Sequence, residues 1–389
     1  MPPISVLIKP ASGLCNMRCD YCFYCDETAK REQADYGFMS EETLKNVVRR
    51  TLTQAEHTAS FAFQGGEPTL RGLDFFRRLM EFEARYNRNG VRIQNALQTN
   101  GTLIDEAWCR FLSENGFLVG ISVDGLQAIH DRHRRLKGSG ESAFERVCRA
   151  AEQMDRFGVA YNILTVVHAE VAEQAEEIYE AYRRRGWRYQ QYIPCLDPLG
   201  EEHGGRSYAL TPEAYGSFLI RLFRLWARDA ARGKQPYIRQ FENYIGILLG
   251  FEPEACDQRG TCGVQYVVEA DGSVFPCDFY MLDAYRLGNF NQDRLPAVEE
   301  RRERIGFLEE SRKLESSCLA CAFHPLCRGG CRRNRDRDGA TGLYRSYYCE
   351  SYRQFFETCL PQMRELAERE RRKLAAYPGG SAAKRDGAF

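Results

Sequence analysis

The sequence predicts an α/β fold, a partial (β/α)6 barrel of TIM type followed by a small cysteine-rich domain with little regular structure. Three observations carry this. Short apolar runs alternate with stretches of helical period between residues 5 and 194, the pattern of parallel βα units. Six such runs are present, short of a closed barrel, and from Cys256 onward cysteines and turn residues replace the alternation. In order, strands are expected at 5–9, 60–64, 91–98, 118–123, 160–167 and 188–194. Helices are expected at 41–52, 73–85, 105–115, 141–157 and 173–185, where apolar residues recur every three to four positions. The stretch 211–249 reads as helical with little strand character. The expected domains are therefore 1–249, with a helical connector from about 211, then 250–365, and a disordered tail over 366–389, whose Gly-Gly-Ser-Ala-Ala composition buries too little to order itself.

At roughly 150 residues per domain, a chain of 389 with 43% hydrophobic residues is long enough for two to three domains and a full core. Lys and Arg total 54, as do Asp and Glu, so no net field favours nucleic acid or an anionic membrane. No apolar run approaches the roughly 18 residues of a membrane span, and the start Met-Pro-Pro-Ile-Ser lacks a signal sequence, which predicts a cytoplasmic protein. The 16 cysteines fall well below the roughly 8–10% of a disulfide scaffold. In a reducing compartment they are better read as metal ligands or catalytic thiols.

The chemically distinctive residues of the first half follow strand C-terminal ends: Cys15 to Cys22, Gly65-Gly66-Glu67-Pro68, Thr99-Asn100-Gly101 and Asp124-Gly125. In parallel sheets and barrels that edge binds ligands. Cys15, Cys19 and Cys22 form Cys-x3-Cys-x2-Cys on one loop. Iron–sulfur clusters are usually held by four thiolates, so three predict a 4Fe-4S cluster with one iron open to an outside ligand. The alternative is a closed zinc site with Cys25 as fourth ligand. This spacing, with the aromatic Tyr21 before the last cysteine, resembles the radical S-adenosylmethionine (SAM) enzymes. The resemblance implies that Cys15, Cys19 and Cys22 hold the cluster, that Gly66 supports the methionine amino group, and that Tyr21, Ser122, Arg134 and Leu196 bind the rest of SAM. On the residues alone, Gly66 could simply permit a tight turn, Ser122 could be a strand hydroxyl, Arg134 a solvated charge and Leu196 core.

A second set, Cys256, Cys262, Cys277, Cys318, Cys321, Cys327, Cys331 and Cys349, has gaps of 5, 14, 40, 2, 5, 3 and 17 residues. Eight thiolates make two closed four-ligand sites, iron–sulfur clusters or, less well matched by the full spacing, two zincs. The region resembles the SPASM extension of radical SAM enzymes that modify peptides. That pattern implies one 4Fe-4S cluster on Cys256, Cys262, Cys277 and Cys331 and another on Cys318, Cys321, Cys327 and Cys349, three clusters in all. The remaining Cys25, Cys109, Cys148, Cys195 and Cys359 are expected to be buried small hydrophobes.

Lys9-Pro10-Ala11-Ser12, Phe61 to Pro68, Leu97 to Gly101 and Asp271 to Tyr280 resemble anaerobic sulfatase-maturating enzymes over roughly residues 1 to 365. The resemblance implies oxidation of a sulfatase cysteine or serine to Cα-formylglycine. A 5′-deoxyadenosyl radical abstracts a Cβ hydrogen, Asp278 removes a proton and an auxiliary cluster takes an electron. It also implies a polypeptide substrate bearing Cys-x-Pro-x-Arg or Ser-x-Pro-x-Arg and an external low-potential electron donor. Asp278 could alternatively cap a helix. Other readings are a different SPASM peptide modification, thioether or cyclisation chemistry, and a non-catalytic iron–sulfur electron carrier.

Overall fold

The computed structural model describes residues 3–376, which divide into two compact units. Among these residues, the first comprises 3–164, 197–205 and 264–307; the second comprises 165–196, 206–263 and 308–376.

All six expected strands form: Ile4–Ile8, Thr58–Phe63, Arg92–Thr99, Leu118–Ser122, Ala160–Val167 and Tyr189–Pro194. The first five pair in chain order, each parallel to the next. Buried and partly covered residues alternate along Thr58–Phe63, so Ala59, Phe61 and Phe63 enter the core. Helices begin where a side chain caps the free N–H groups: Ser40 accepts from Thr43 N, Asp105 from Trp108 N, and Ser142 from Glu145 N. Helix Glu41–Leu52 matches expectation, whereas the single helix expected at 173–185 is two, Ala169–Glu173 and Ala175–Arg184, interrupted at Gln174.

The cysteine-rich region contributes to both units. Strand Tyr266–Val268 lies parallel to Ile4–Ile8, with Val6 opposite Tyr266 and Ile8 opposite Val268. Ser273–Phe275 and Gly288–Asn289 continue that sheet antiparallel. All three residues of Tyr266–Val268 and of Ser273–Phe275 are buried, as interior strands require.

In the second unit, Pro212–Ala230 packs along the 28-residue helix Cys349–Ala376. The Ser351 hydroxyl donates to the Pro212 carbonyl at 2.6 Å. Phe223, Phe241, Tyr244, Phe355 and Phe356 form edge-to-face and tilted ring contacts there. Residues 366–376 of the expected tail continue this helix, with Leu366 and Ala367 buried; residues 377–389 lie outside the described residues.

Candidate active site

The Cys15 to Cys22 loop leaves the first strand through Ser12, whose φ of 47° places a non-glycine residue in the left-handed region. That turn aims the Ser12 and Leu14 carbonyls at the Gly65-Gly66-Glu67 segment. Gly66 N donates to Ser12 O at 2.9 Å and Glu67 N to Leu14 O at 2.8 Å. A Cβ on Gly66 would lie 1.9 Å from the Leu14 carbonyl oxygen, so only glycine permits this approach.

Glu67 then ties the loop to the third strand. Its carboxylate is buried and accepts from Thr69 N, Thr69 Oγ1 and Thr99 Oγ1 on one oxygen and from Asn100 N on the other. Burial pushes its carboxyl upward while these four donors oppose the rise. Asn100 Nδ2 in turn donates to Asn16 Oδ1 at 2.8 Å and faces Cys15 Sγ at 3.9 Å.

The short strand Met17–Cys19 pairs antiparallel with Arg134–Leu136, placing Cys19 opposite Arg134. Arg134 Nε donates to Asp124 Oδ2 at 2.7 Å, its Nη2 reaches Oδ1 at 3.4 Å, and Nη1 stands 4.0 Å from Cys19 Sγ. The guanidinium also lies over the Tyr21 ring at 5.4 Å. Arg134 is therefore a buried ion-pair member, and the solvated-charge reading falls. Burial pushes the Cys15 thiol up to about 11 and Cys19 to about 12. Cys22 is lowered to about 6, chiefly by a hydrogen bond from Cys25. Cys25 departs from expectation: it is exposed, whereas Cys109, Cys148, Cys195 and Cys359 are buried. Among the described residues no three His, Cys, Asp or Glu side chains converge on a single-ion site. Three thiols on one loop, with a cation beside one of them, are a donor set of the kind that holds a polynuclear iron–sulfur cluster. Ser122 ends the fourth strand, partly covered, in this unit; Leu196 follows the sixth strand and belongs to the other.

Asp278 opens the 3-10 turn Asp278–Tyr280, directly after Cys277. The helix-cap reading does not describe it: one carboxylate oxygen accepts from Lys9 Nζ and the other from Gln64 Nε2. Lys9 is fully buried and its ammonium also lies 4.4 Å from the Tyr24 ring centroid. Tyr24 Oη donates to Glu269 Oε2 at 2.6 Å, and Arg31 Nη1 pairs with the same oxygen at 2.7 Å. The sequence names Lys9, Gln64, Glu67 and Asp124 only as letters of motifs, without the contacts that the fold gives them. The available signal was an acidic residue in two of the strand-end turns, Glu67 and Asp124.

In the second unit, Cys256, Cys262 and Cys331 are within electrostatic reach of one another, as are Cys318, Cys321, Cys327 and Cys349. Cys277, grouped by resemblance with the first trio, belongs to the other unit. Residues Arg328, Gly329 and Gly330 are successively left-handed, and the Gly329 N–H turns onto the Cys327 thiol. Burial pushes Cys327 and Cys331 up to about 12. Arg333 N donates to Cys331 Sγ at 3.4 Å.

The chain matches the family profile of the radical SAM superfamily over residues 10–182 and that of the SPASM iron-sulfur cluster-binding domain over residues 260–322. It is 45% identical to the cysteine-type anaerobic sulfatase-maturating enzyme of Clostridium perfringens, covering 94% of this chain and 99% of that protein. Against the serine-type anaerobic sulfatase-maturating enzyme of Bacteroides thetaiotaomicron it is 31% identical, covering 93% and 90%. Its fold superimposes on that of native anSMEcpe with bound AdoMet and Kp18Cys peptide at a TM-score of 0.90 and 44% identity, covering 95% of this chain and 100% of that one.

Proposed function

The chain belongs to the anaerobic sulfatase-maturating enzymes, radical SAM proteins with a SPASM domain, and on that premise we propose that it oxidises a cysteine, or a serine, of a sulfatase polypeptide to Cα-formylglycine without oxygen. The observation that carries the reading is the near end-to-end likeness to a cysteine-type relative. The weaker likeness to a serine-type one favours cysteine as the target.

In this reading Cys15, Cys19 and Cys22 hold a 4Fe-4S cluster, the eight cysteines from Cys256 to Cys349 hold two more, and Tyr21, Gly66, Ser122, Arg134 and Leu196 bind SAM. When bound, these groups would supply radical abstraction of a Cβ hydrogen from the target side chain and an acceptor for the electron then given up. The protein's own task is to fix the parts. Glu67, Asn100 and the Gly66 contact lock the cysteine loop to the ends of the second and third strands. The Asp124 carboxylate holds Arg134 beside Cys19, which favours thiolate there.

Asp278 takes the thiol or hydroxyl proton. Lys9 and Gln64 each occupy one of its oxygens, and an ionised carboxylate has about four lone-pair sites, so capacity remains for a substrate proton. Its two partners follow the first and second strands, so the base is aimed by rigid strand ends. The substrate is a peptide segment with Cys-x-Pro-x-Arg or Ser-x-Pro-x-Arg, and an external low-potential donor, in the cytoplasm, supplies the electron that starts each turnover. No described helix is long and apolar enough to cross a membrane.

The test is anaerobic incubation of cluster-loaded protein with SAM, a reductant and paired peptides carrying either motif, with mass spectrometry of peptide and nucleoside. Formylglycine together with 5′-deoxyadenosine is expected, first on the cysteine peptide. 5′-Deoxyadenosine with both peptides unmodified would move the reaction to another peptide modification, and none at all would leave an electron carrier.

A further inference from the structure

Arg335 lies outside every motif. Its side chain is buried, on the strand Arg335–Arg337 that pairs with Tyr344–Ser346. Its Nε donates to Gly329 O at 2.9 Å, Nη1 to Ser311 O at 2.6 Å, and Nη2 to Gly260 O at 2.7 Å and Gly330 O at 2.6 Å. Every partner is a neutral carbonyl. Among the described residues no carboxylate pairs with it, although a buried guanidinium without an anion is costly. The other buried arginines treated above, Arg31 and Arg134, each have a carboxylate.

The groups that act electrostatically on Arg335 are cysteines, which carry negative charge as cluster ligands. Cys331 and Cys262 act on its charge, and so do Cys327 and Cys318. The first two belong to one auxiliary ligand set and the last two to the other. Burial alone draws the guanidinium down, and these thiols work in the opposite direction. The carbonyls it gathers come from the loops that carry the cysteines: Gly260 precedes Cys262, and Gly329 and Gly330 lie between Cys327 and Cys331. A Cβ on Gly260 would lie 2.1 Å from the Arg328 carbonyl oxygen, so these loops meet at close range where Arg335 binds them.

We infer that Arg335 is the shared counter-cation of both auxiliary clusters, raising the reduction potential of each and so making them better acceptors of the electron released by the substrate radical. The inference rests on the assignment of these cysteines to clusters under the proposed function. A four-thiolate 4Fe-4S cluster is anionic in both states and gains one further negative charge on reduction. A fixed positive charge in a low-dielectric setting therefore stabilises the reduced state more than the oxidised one. Arg335 is a positioning residue that acts through the clusters.

The test is an anaerobic redox titration, followed by electron paramagnetic resonance, of cluster-loaded wild type, Arg335→Gln and Arg335→Lys. Arg335→Gln should shift the oxidised-to-reduced equilibrium of both auxiliary clusters about tenfold or more toward oxidised, a fall of about 59 mV for a one-electron couple. Arg335→Lys, which keeps the charge and loses most carbonyl bonds, should stay near wild type in potential while melting lower. The cluster on Cys15, Cys19 and Cys22 should not move and serves as the internal reference. Unchanged potentials in an iron-replete Arg335→Gln would overturn the inference, as would a Lys variant displaced as far as Gln. If Arg335→Gln cannot retain its clusters, the Lys variant decides: clusters held at near wild-type potential support the charge role, and their loss refutes it. A wild-type protein with no auxiliary-cluster signals would instead sink the cluster assignment.

Discussion

Glu83 is buried on the helix Leu73–Tyr86 and faces Asn95 of the third strand. Its Oε2 accepts from Asn95 Nδ2 at 3.1 Å, while Glu83 Oε1 and Asn95 Oδ1 have no hydrogen-bond partner. Two unsatisfied acceptors on one contacting pair are what a missing proton leaves behind: a carboxyl O–H, or an amide N–H, could serve both. Burial accordingly pushes the Glu83 carboxyl from 4.5 to about 7, against a smaller lowering by Asn95. At about 1.36 kcal/mol for each tenfold in proton affinity, the rise from 4.5 to about 7 corresponds to about 3 kcal/mol.

The native state holds this proton more tightly than the unfolded chain. Its contribution to stability is thus fully present below pH 4.5 and is lost as pH rises through about 7. Glu83→Gln removes the titration, keeps an acceptor for Asn95 Nδ2 and offers a donor to Asn95 Oδ1. The variant should be more stable than wild type by about 2–3 kcal/mol above pH 8, and the two should converge below pH 5. Paired thermal melts of cluster-loaded protein across that range read the difference directly. A stability gap that does not change with pH, or a variant less stable at pH 8, would refute the reasoning.

Two further substitutions probe the site. Gly66→Ala places a methyl 1.9 Å from the Leu14 carbonyl oxygen, which backbone cannot accommodate without displacing the cysteine loop. The variant should bind SAM at least about tenfold more weakly, equivalent to about 1.4 kcal/mol, and should retain less than a full loop cluster, measured by SAM titration and iron content. Asp278→Asn should keep its clusters and still cleave SAM, while formylglycine formation falls by about 10²–10⁴, the usual contribution of a general base. The ratio of 5′-deoxyadenosine to formylglycine is the readout, and an unchanged ratio removes the base role.

What the sequence made legible was local. Cysteine spacing along a loop, an apolar run of strand length and a helix such as Glu41–Leu52 with Ser40 at its cap all depend on near neighbours, so the chain can be read there directly. The partners of Asp278 could not be read this way. Lys9 lies 269 positions away and Gln64 lies 214 away, and only the pairing of Ile4–Ile8 with Thr58–Phe63 and Tyr266–Val268 brings their elements together. The ion pair of Arg134 with Asp124 is hidden in the same way, because its neighbours Arg132 and Arg135 suggest a solvated run. Antiparallel pairing with the cysteine loop buries Arg134 alone. The break at Gln174 has no proline or glycine to announce it, and Arg335 has no motif at all.

The strand Tyr266–Val268 beside Ile4–Ile8 has a bearing on how such an enzyme can be dismantled or recombined. A truncation at residue 249, where composition invites the cut, would leave Ile4–Ile8 as a bare sheet edge with its backbone ladder unpaired, a template for aggregation. It would also leave Lys9 buried in its pocket without its carboxylate. The accessory segment is thus interleaved with the catalytic core. Any exchange of segments between relatives must therefore carry residues 264–307 along with the first five strands.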